Sequence, residues 1–271
     1  MAVDHYENFP VASILLPRRI RRAVEIIYYF ARQADDIADE GDLSSDERLA
    51  KLDEYRLELN RIEAGNTPIT PLFAALAEIV KIYRLPVQLF HDLLDAFSQD
   101  VVKKRYENFD ELLDYCRRSA NPVGRLLLHI YGETSEQNLI YSDHICTSLQ
   151  LINFWQDIQK DYAISRIYLP QDEMARFGIT ENHIAKGIVE KSWQELMKFQ
   201  VERAGTMMKI GTPLGSILRG RIGMEIRLII AGGNRILSKL ENVKYDIFNS
   251  RPVLRPLDWI IILFNSAPFK F

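Results

Sequence analysis

Two acidic clusters carry the residues of this chain best suited to chemistry: Asp35-Asp36-Ile37-Ala38-Asp39 and Asn153-Phe154-Trp155-Gln156-Asp157-Ile158-Gln159-Lys160-Asp161. A spacing of four stacks side chains along one face of an α-helix. Asp35 and Asp39 therefore form two rungs, and Asn153, Asp157 and Asp161 three. Both clusters lie in apolar, helix-forming sequence, where an uncompensated carboxylate turned toward a core loses several kcal/mol of hydration. A hard dication with oxygen ligands removes that cost, and carboxylates that leave room for phosphate oxygens suit Mg²⁺. The two faces together predict Mg²⁺-diphosphate chemistry. Taken singly, each has an ordinary reading as a solvated acidic face or a helix end. A solvated face usually mixes both signs of charge, whereas Asp35, Asp36, Asp39 and Glu40 have one base close by, Arg32.

If an allylic diphosphate binds between these faces, Arg32 and Arg166 are placed to hold its outer phosphate oxygens in a bidentate manner. The carbocation left by ionisation needs a dry cavity with electron-rich walls. An aromatic face stabilises a cation by ~2 kcal/mol or more when desolvated, and Tyr28, one turn before Arg32, is the candidate. Phe154 and Trp155 diverge from the Asn153/Asp157/Asp161 stripe and are expected in the core.

The elements that must position these groups are helical throughout. Pro17 suits the first turn of a helix reaching about Asp39, and Gly41 stops it. Ser44-Ser45-Asp46-Glu47 caps a second helix to about Glu63. Further helices are expected over Pro71–Tyr83, from Pro86 to about Val101, and from an Asp110 cap through Tyr115, with a break at Asn121-Pro122. Ser135 caps the helix from Glu136 to Asp161, and Arg166–Pro170 is a short extended connection. Helices resume near Thr180 and Glu190, and Gly215–Leu240 reads as a long amphipathic pair. The expectation is an all-α bundle of one domain, residues 1–271, with its carboxylate helices facing each other across a central cavity.

Composition bounds the partners. A net charge of −3 gives no footprint for nucleic acid. The basic run Arg18-Arg19-Ile20-Arg21-Arg22 is a solvated helix start at Arg21 and Arg22, with a phosphate-facing or membrane-surface role open to Arg18 and Arg19. Two isolated cysteines fit a reducing, cytoplasmic setting without a disulfide framework or a zinc site. The N-terminus has no pattern of a signal peptide. The run Trp259–Phe264 is too short to span a bilayer, which leaves core packing or peripheral membrane contact. The five histidines form no metal-binding spacing, and His91 with Asp95 reads as a partly exposed pair on one helix face.

Four segments resemble the squalene/phytoene synthase family: Asn8-Phe-Pro-Val-Ala-Ser13, Tyr28-Tyr-Phe-Ala-Arg32-Gln-Ala-Asp35-Asp-Ile-Ala-Asp39, Asn153 through Asp161, and Arg166-Ile-Tyr-Leu-Pro170. The resemblance runs essentially end to end. It implies the single-domain, all-α class I isoprenoid synthase (prenyltransferase-like) fold and Mg²⁺-dependent chemistry on prenyl diphosphates. By the family's pattern Asp35, Asp39, Asp157 and Asp161 hold Mg²⁺, and Tyr28, Arg32 and Asn153 line the same site. Asn8, Ser13, Arg18, Tyr115, Arg166 and Tyr168 are expected to bind substrate.

Three features, Glu7–Ser13, Tyr115-Cys-Arg-Arg-Ser-Ala-Asn-Pro-Val-Gly124 and Arg251-Pro-Val-Leu, are similar to the hopanoid-pathway branch of the family. That branch ionises presqualene diphosphate, opens its cyclopropane and captures the cation with water, which implies partner enzymes in the same pathway. In squalene synthases the middle segment reads closer to Tyr-Cys-x-Tyr-Val-Ala-Gly-x-Val-Gly. Here Arg118 and Asn121 replace the second Tyr and the first Gly, so a phenol for the first condensation is missing from its usual place. Asn121, with Arg117 or Arg118, is a candidate for orienting the captured water; a kinked helix with exposed arginines is the alternative. The other route the family offers is head-to-head condensation of two prenyl diphosphates.

Overall fold

A computed structural model describes residues 17–266, and among them there are thirteen α-helices and no strand. α1 (Arg18–Asp39) carries the first acidic cluster. Pro17 is its N-cap residue rather than part of its first turn, because it keeps an extended ψ of 136°. Arg48 closes the other end, donating to the carbonyls of Ile37 at 2.8 Å, Glu40 at 3.0 Å and Gly41 at 2.7 Å. Those carbonyls lie at or just past the helix end, where helical partners run out.

α2 (Ser45–Glu63) starts with the expected capping box between Ser44 and Glu47. α3 (Pro71–Tyr83) and α4 (Gln88–Val102) follow. α5 (Phe109–Ser119) is capped by Asn108, whose side chain accepts from the Glu111 amide at 3.0 Å. Asp110, the residue expected to cap, sits instead in the first turn of α5. The cap belongs to whichever residue keeps an extended backbone just before the helix, and Asn108 does so at φ −147°, ψ 175°. The Asn121-Pro122 break separates α5 from α6 (Asn121–Tyr131).

α7 (Glu136–Ala163), capped by Ser135 as expected, is the longest helix and packs chiefly on α10 (Lys191–Gly211) and α6. Between them lie two short helices, α8 (Gln171–Arg176) and α9 (Glu181–Lys186). α11 (Leu214–Ile217) is a single turn before α12 (Gly220–Asn242), and α13 (Pro256–Ser266) packs on α12. The amphipathic pair expected over Gly215–Leu240 is thus one turn and one long helix. His91 and Asp95 do not pair: His91 approaches Glu63 at 3.9 Å and Asp95 binds Arg56 at 2.9 Å.

Buried apolar side chains form two clusters. One joins α1 to α2, α3, α4 and α6 around Phe30, Leu59, Phe73 and Phe90. The other is built on α7 and α10 around Trp155, Trp193, Leu196 and Met208, with Phe154 at its edge. Each cluster carries one of the acidic faces.

Candidate active site

On α1, Arg32 stands between the acids of its own helix. It bonds Asp35 at 3.2 Å and Glu40 at 2.7 Å and lies 2.7 Å from Asp36. Asp35 is pushed up to about 7, first by burial and then by Asp39. Its side chain keeps 39% of its surface, so water screens part of that repulsion. Asp39 is held in a bidentate pair with Arg166 (2.9 Å for one contact). Tyr28 is half-buried one turn before Arg32.

On α7, Asn153, Asp157 and Asp161 share the open face, while Phe154, Trp155 and Ile158 turn into the core as their spacing predicts. Arg251 grips Asp157 with Nε at 2.7 Å and Nη2 at 2.9 Å, and Lys160 sits 3.2 Å from the same carboxylate. The segment bearing Arg251 is tied down by Gln156, which donates to the Pro252 carbonyl at 2.7 Å. Asp161 is pushed up to about 7, chiefly by burial and next by Asp157.

The chain reverses at once after α7. Ser165 adopts a left-handed conformation (φ 64°) and the Arg166 amide returns to the Asp161 carbonyl at 2.8 Å. The following residues run beside Lys103–Tyr106 through one parallel bridge, Arg105 to Ile167, and the Ile167 amide binds the Lys104 carbonyl at 3.0 Å. The expected extended connection Arg166–Pro170 is therefore pinned to the end of α4. Arg166 is buried and its Nη2 also donates to the Asp100 carbonyl at 3.0 Å. It thereby joins α1, α4 and the strap after α7.

Asp100 was not anticipated from the sequence. It is buried in the last turn of α4, accepts from the Tyr115 hydroxyl at 2.7 Å and lies 3.4 Å from that of Tyr168. Burial raises it to about 6 against the opposing pull of Tyr115 and Arg166. Its charge is felt at Asp35 and at Asp161, which places it between the two acidic faces. A signal was present: an acid in the last turn opposes the helix dipole, and Asp100 stands there in α4.

Around Asp100 the rings form one wall. Tyr168 stacks on Phe154 with centroids 3.7 Å apart and on Tyr106 at 5.6 Å, and Tyr115 meets both tyrosines at 5.5–5.8 Å. Arg118 reaches this wall from outside, donating to Gln99 at 2.6 Å, and Gln99 donates to the Tyr106 hydroxyl at 3.2 Å. Arg118 is thus mostly covered, whereas Arg117 is exposed and pairs with Asp114 at 2.8 Å.

The structure thus gathers Arg32, Asp35, Asp39, Asp157, Asp161, Arg166, Tyr115 and Tyr168 around Asp100, with Tyr28 and Asn153 on the same two helices. Two candidates fall elsewhere. Arg18 is exposed at the start of α1, and at 1.5 Å per residue it stands ~25 Å along the axis from Asp35. Asn121 is buried and accepts from Thr147 at 2.9 Å, which ties α6 to α7. Asn8 and Ser13 lie outside the described residues. Among those residues no three acid, imidazole or thiol groups already converge as a metal-binding cluster. Arginines hold Asp39 and Asp157 instead.

Comparison with known proteins gives the chain a family. The sequence profile of squalene/phytoene synthase matches residues 2–258. The chain belongs to the squalene/phytoene synthase family. Within this family it is similar to a hydroxysqualene synthase of Rhodopseudomonas palustris, 36% identical over 265 residues that cover 96% of this chain and 87% of the relative. A hydroxysqualene synthase of Zymomonas mobilis is 36% identical over 82% of this chain and 75% of its own. A phytoene synthase of Arthrospira platensis is 31% identical over 93% and 85%. The crystal structure of squalene synthase HpnC from Alicyclobacillus acidocaldarius superposes with a TM-score of 0.83 at 36% identity, covering 90% of this chain and 91% of that one. A dehydrosqualene synthase, at 21% identity and a TM-score of 0.83, shares the fold. The all-α isoprenoid synthase fold expected of the family is the fold found.

Proposed function

We propose that this family member converts presqualene diphosphate and water to hydroxysqualene and diphosphate in a Mg²⁺-dependent reaction. The observation that carries the reading is the convergence of three helix ends, α1, α4 and α7, each with carboxylates in its final turns, beside a wall of tyrosines. The similarity to two hydroxysqualene synthases at 36% identity supports the choice of reaction within the family.

The donor set fits a hard dication. It is all oxygen, it sits at the negative ends of helix dipoles, and two of its members, Asp35 and Asp161, are carboxylates whose burial disfavours their charge. Asp35, Asp39, Asp157 and Asp161 would hold Mg²⁺, which when bound neutralises the diphosphate as a leaving group. Arg32, Arg166 and Arg251 reorient from carboxylate to phosphate oxygens, for which a guanidinium fork is equally suited. The C–O bond to diphosphate breaks heterolytically, and Tyr28, half-buried one turn before Arg32, would turn its ring toward the cation. The cyclopropane opens, a water oxygen bonds to carbon, and its proton leaves to the released diphosphate. Nicotinamide plays no part in this balance, because no hydride is added.

The test is product analysis with Mg²⁺ and without nicotinamide, run separately on presqualene diphosphate and on farnesyl diphosphate. Hydroxysqualene from the first and no product from the second is expected. A C30 product from farnesyl diphosphate would overturn the half-reaction and assign the chain to head-to-head condensation.

A further inference from the structure

The chain leaving α4 carries three consecutive cations, Lys103-Lys104-Arg105. The outer two are neutralised. Lys103 pairs with Glu111 of α5 and lies over the Tyr106 ring, 5.3 Å from its centroid. Arg105 grips Glu181 of α9 with Nε at 2.7 Å and Nη2 at 2.9 Å. Lys104, between them, has no carboxylate within ion-pair distance among the described residues. The backbone explains the division. Lys103 is extended at φ −99°, ψ 127°, and successive side chains of extended chain point to opposite sides. Lys103 and Arg105 lean toward α5 and α9, whereas Lys104 turns back onto the end of α4.

There the half-buried Lys104 donates from Nζ to the Asp100 carbonyl at 2.7 Å. The same oxygen accepts from Arg166 Nη2 at 3.0 Å. A helix C-terminus favours positive charge, but here two full charges share one carbonyl dipole. The acids close by are already engaged: Arg166 forks Asp39, and two tyrosine hydroxyls face the Asp100 carboxylate. Burial and the Arg166 charge both pull the Lys104 pKa down, against Asp39 and Asp100. An ammonium has three donors, and the protein uses one of them. Like charges held this close, partly out of water, are relieved by an anion placed between them.

We propose that Lys104 is a diphosphate-binding residue of the candidate active site, its Nζ taking a phosphate oxygen of the substrate on the Asp39 side. The inference rests on the diphosphate reading of that site and adds to it a ligand from outside the two acidic helices. A compact ammonium suits a single phosphate oxygen, where the guanidinium forks of Arg32 and Arg166 suit two. Lys104 and Arg166 then close on the anion together, and the charge that each feels from the other is offset.

The test is calorimetric titration of inorganic diphosphate into the full chain with Mg²⁺, which reads the site without turnover. Lys104→Gln should weaken binding roughly tenfold or more, the loss expected of one charge-assisted hydrogen bond. Lys104→Arg, which keeps the charge, should recover most of that loss. Lys103→Gln removes the same charge one position earlier and should leave the affinity nearly unchanged. The melting temperature of ligand-free Lys104→Gln should stay level or rise, because the change removes a like-charge contact with Arg166. A lower melting temperature with undiminished diphosphate affinity would overturn the proposal and make Lys104 a cap of α4. An equal loss of affinity in Lys103→Gln would overturn it too, by reducing Lys104 to a distant charge. In both cases the unchanged protein still binds diphosphate, and the reading of the site stands. No binding by the unchanged protein would overturn the two together.

Discussion

Asp35 and Asp161, both pushed up to about 7 by burial and a neighbouring aspartate, hold protons in the metal-free fold that an unfolded chain releases near pH 4. Between those limits the folded state binds more protons, so the contribution of these two groups to stability is complete below about pH 4 and is lost as pH rises toward and through 7. Asp100, raised to about 6, acts in the same sense. Asp258, held down at about 2 by Lys239, Arg255 and Arg235 despite its burial, contributes in the opposite sense but outside this window. Metal-free protein should therefore melt lower at pH 8 than at pH 5.5, with roughly 2–4 °C for each kcal/mol lost, and Asp161→Asn should flatten that slope in a thermal scan. Since a proton and a cation compete for the same oxygens, apparent Mg²⁺ affinity measured by titration should weaken as pH falls below 7. Asp35→Asn and Asp157→Asn should each lower turnover by about a thousandfold or more, because neutralising a leaving diphosphate is worth several kcal/mol and ~1.4 kcal/mol is a factor of ten. Neither change should lower the metal-free melting temperature by more than a degree or two per roughly 0.5 kcal/mol of lost arginine pairing. A variant with full turnover would remove that aspartate from the site.

The α7-to-strap turn decides where Arg166 points, and it rests on one strained residue. Ser165 at φ 64° pays the left-handed penalty of about 1–2 kcal/mol that glycine avoids. Ser165→Gly should keep activity and leave the melting temperature equal or higher, whereas Ser165→Val, stiff at its branched carbon, should lower stability by about 1–2 kcal/mol in denaturant unfolding and lower turnover with it. Turns of this kind mark the boundary of what the amino-acid pattern reveals. Helices with a local cap, at Ser44 and Ser135, were legible because the cap and its partner lie three residues apart. The spacing of four likewise exposed the acidic faces. Asn108 against Asp110 was not decidable from residue type, since both side chains can cap and only the backbone conformation chooses. Asp100, and the grip of Arg251 on Asp157, escaped for a different reason. Their partners Tyr115 and Asp157 lie 15 and 94 residues away, so the meaning of each appears only when separate helices are brought together.

At the scale of the molecule, the site joins two hydrophobic clusters, each contributing one acidic helix, while α1 and α7 are not among the closely packed helix pairs. Three helices aim their C-terminal ends, with Asp39, Asp100 and Asp161 in or near the last turn, at one place. Dipole ends and carboxylates of one sign repel each other there, and Arg166 is the buried cation that holds them together. Removing it leaves the repulsion uncompensated. Arg166→Gln should cost about 2 kcal/mol, less than a fully buried pair because Asp39 keeps a third of its surface, or roughly 4–8 °C of melting temperature at pH 8. Lowering the pH toward 5.5 should return part of that loss by protonating the same acids. Mg²⁺ supplies a second test of the same geometry. If Asp39 is a metal ligand, added Mg²⁺ relieves in the variant a repulsion that Arg166 already relieves in the unchanged protein, so it should raise the variant's melting temperature by the larger amount. Equal shifts in the two proteins would place the cation away from Asp39, and Arg166 would then be a strut between the halves with no part in exchanging carboxylate for phosphate.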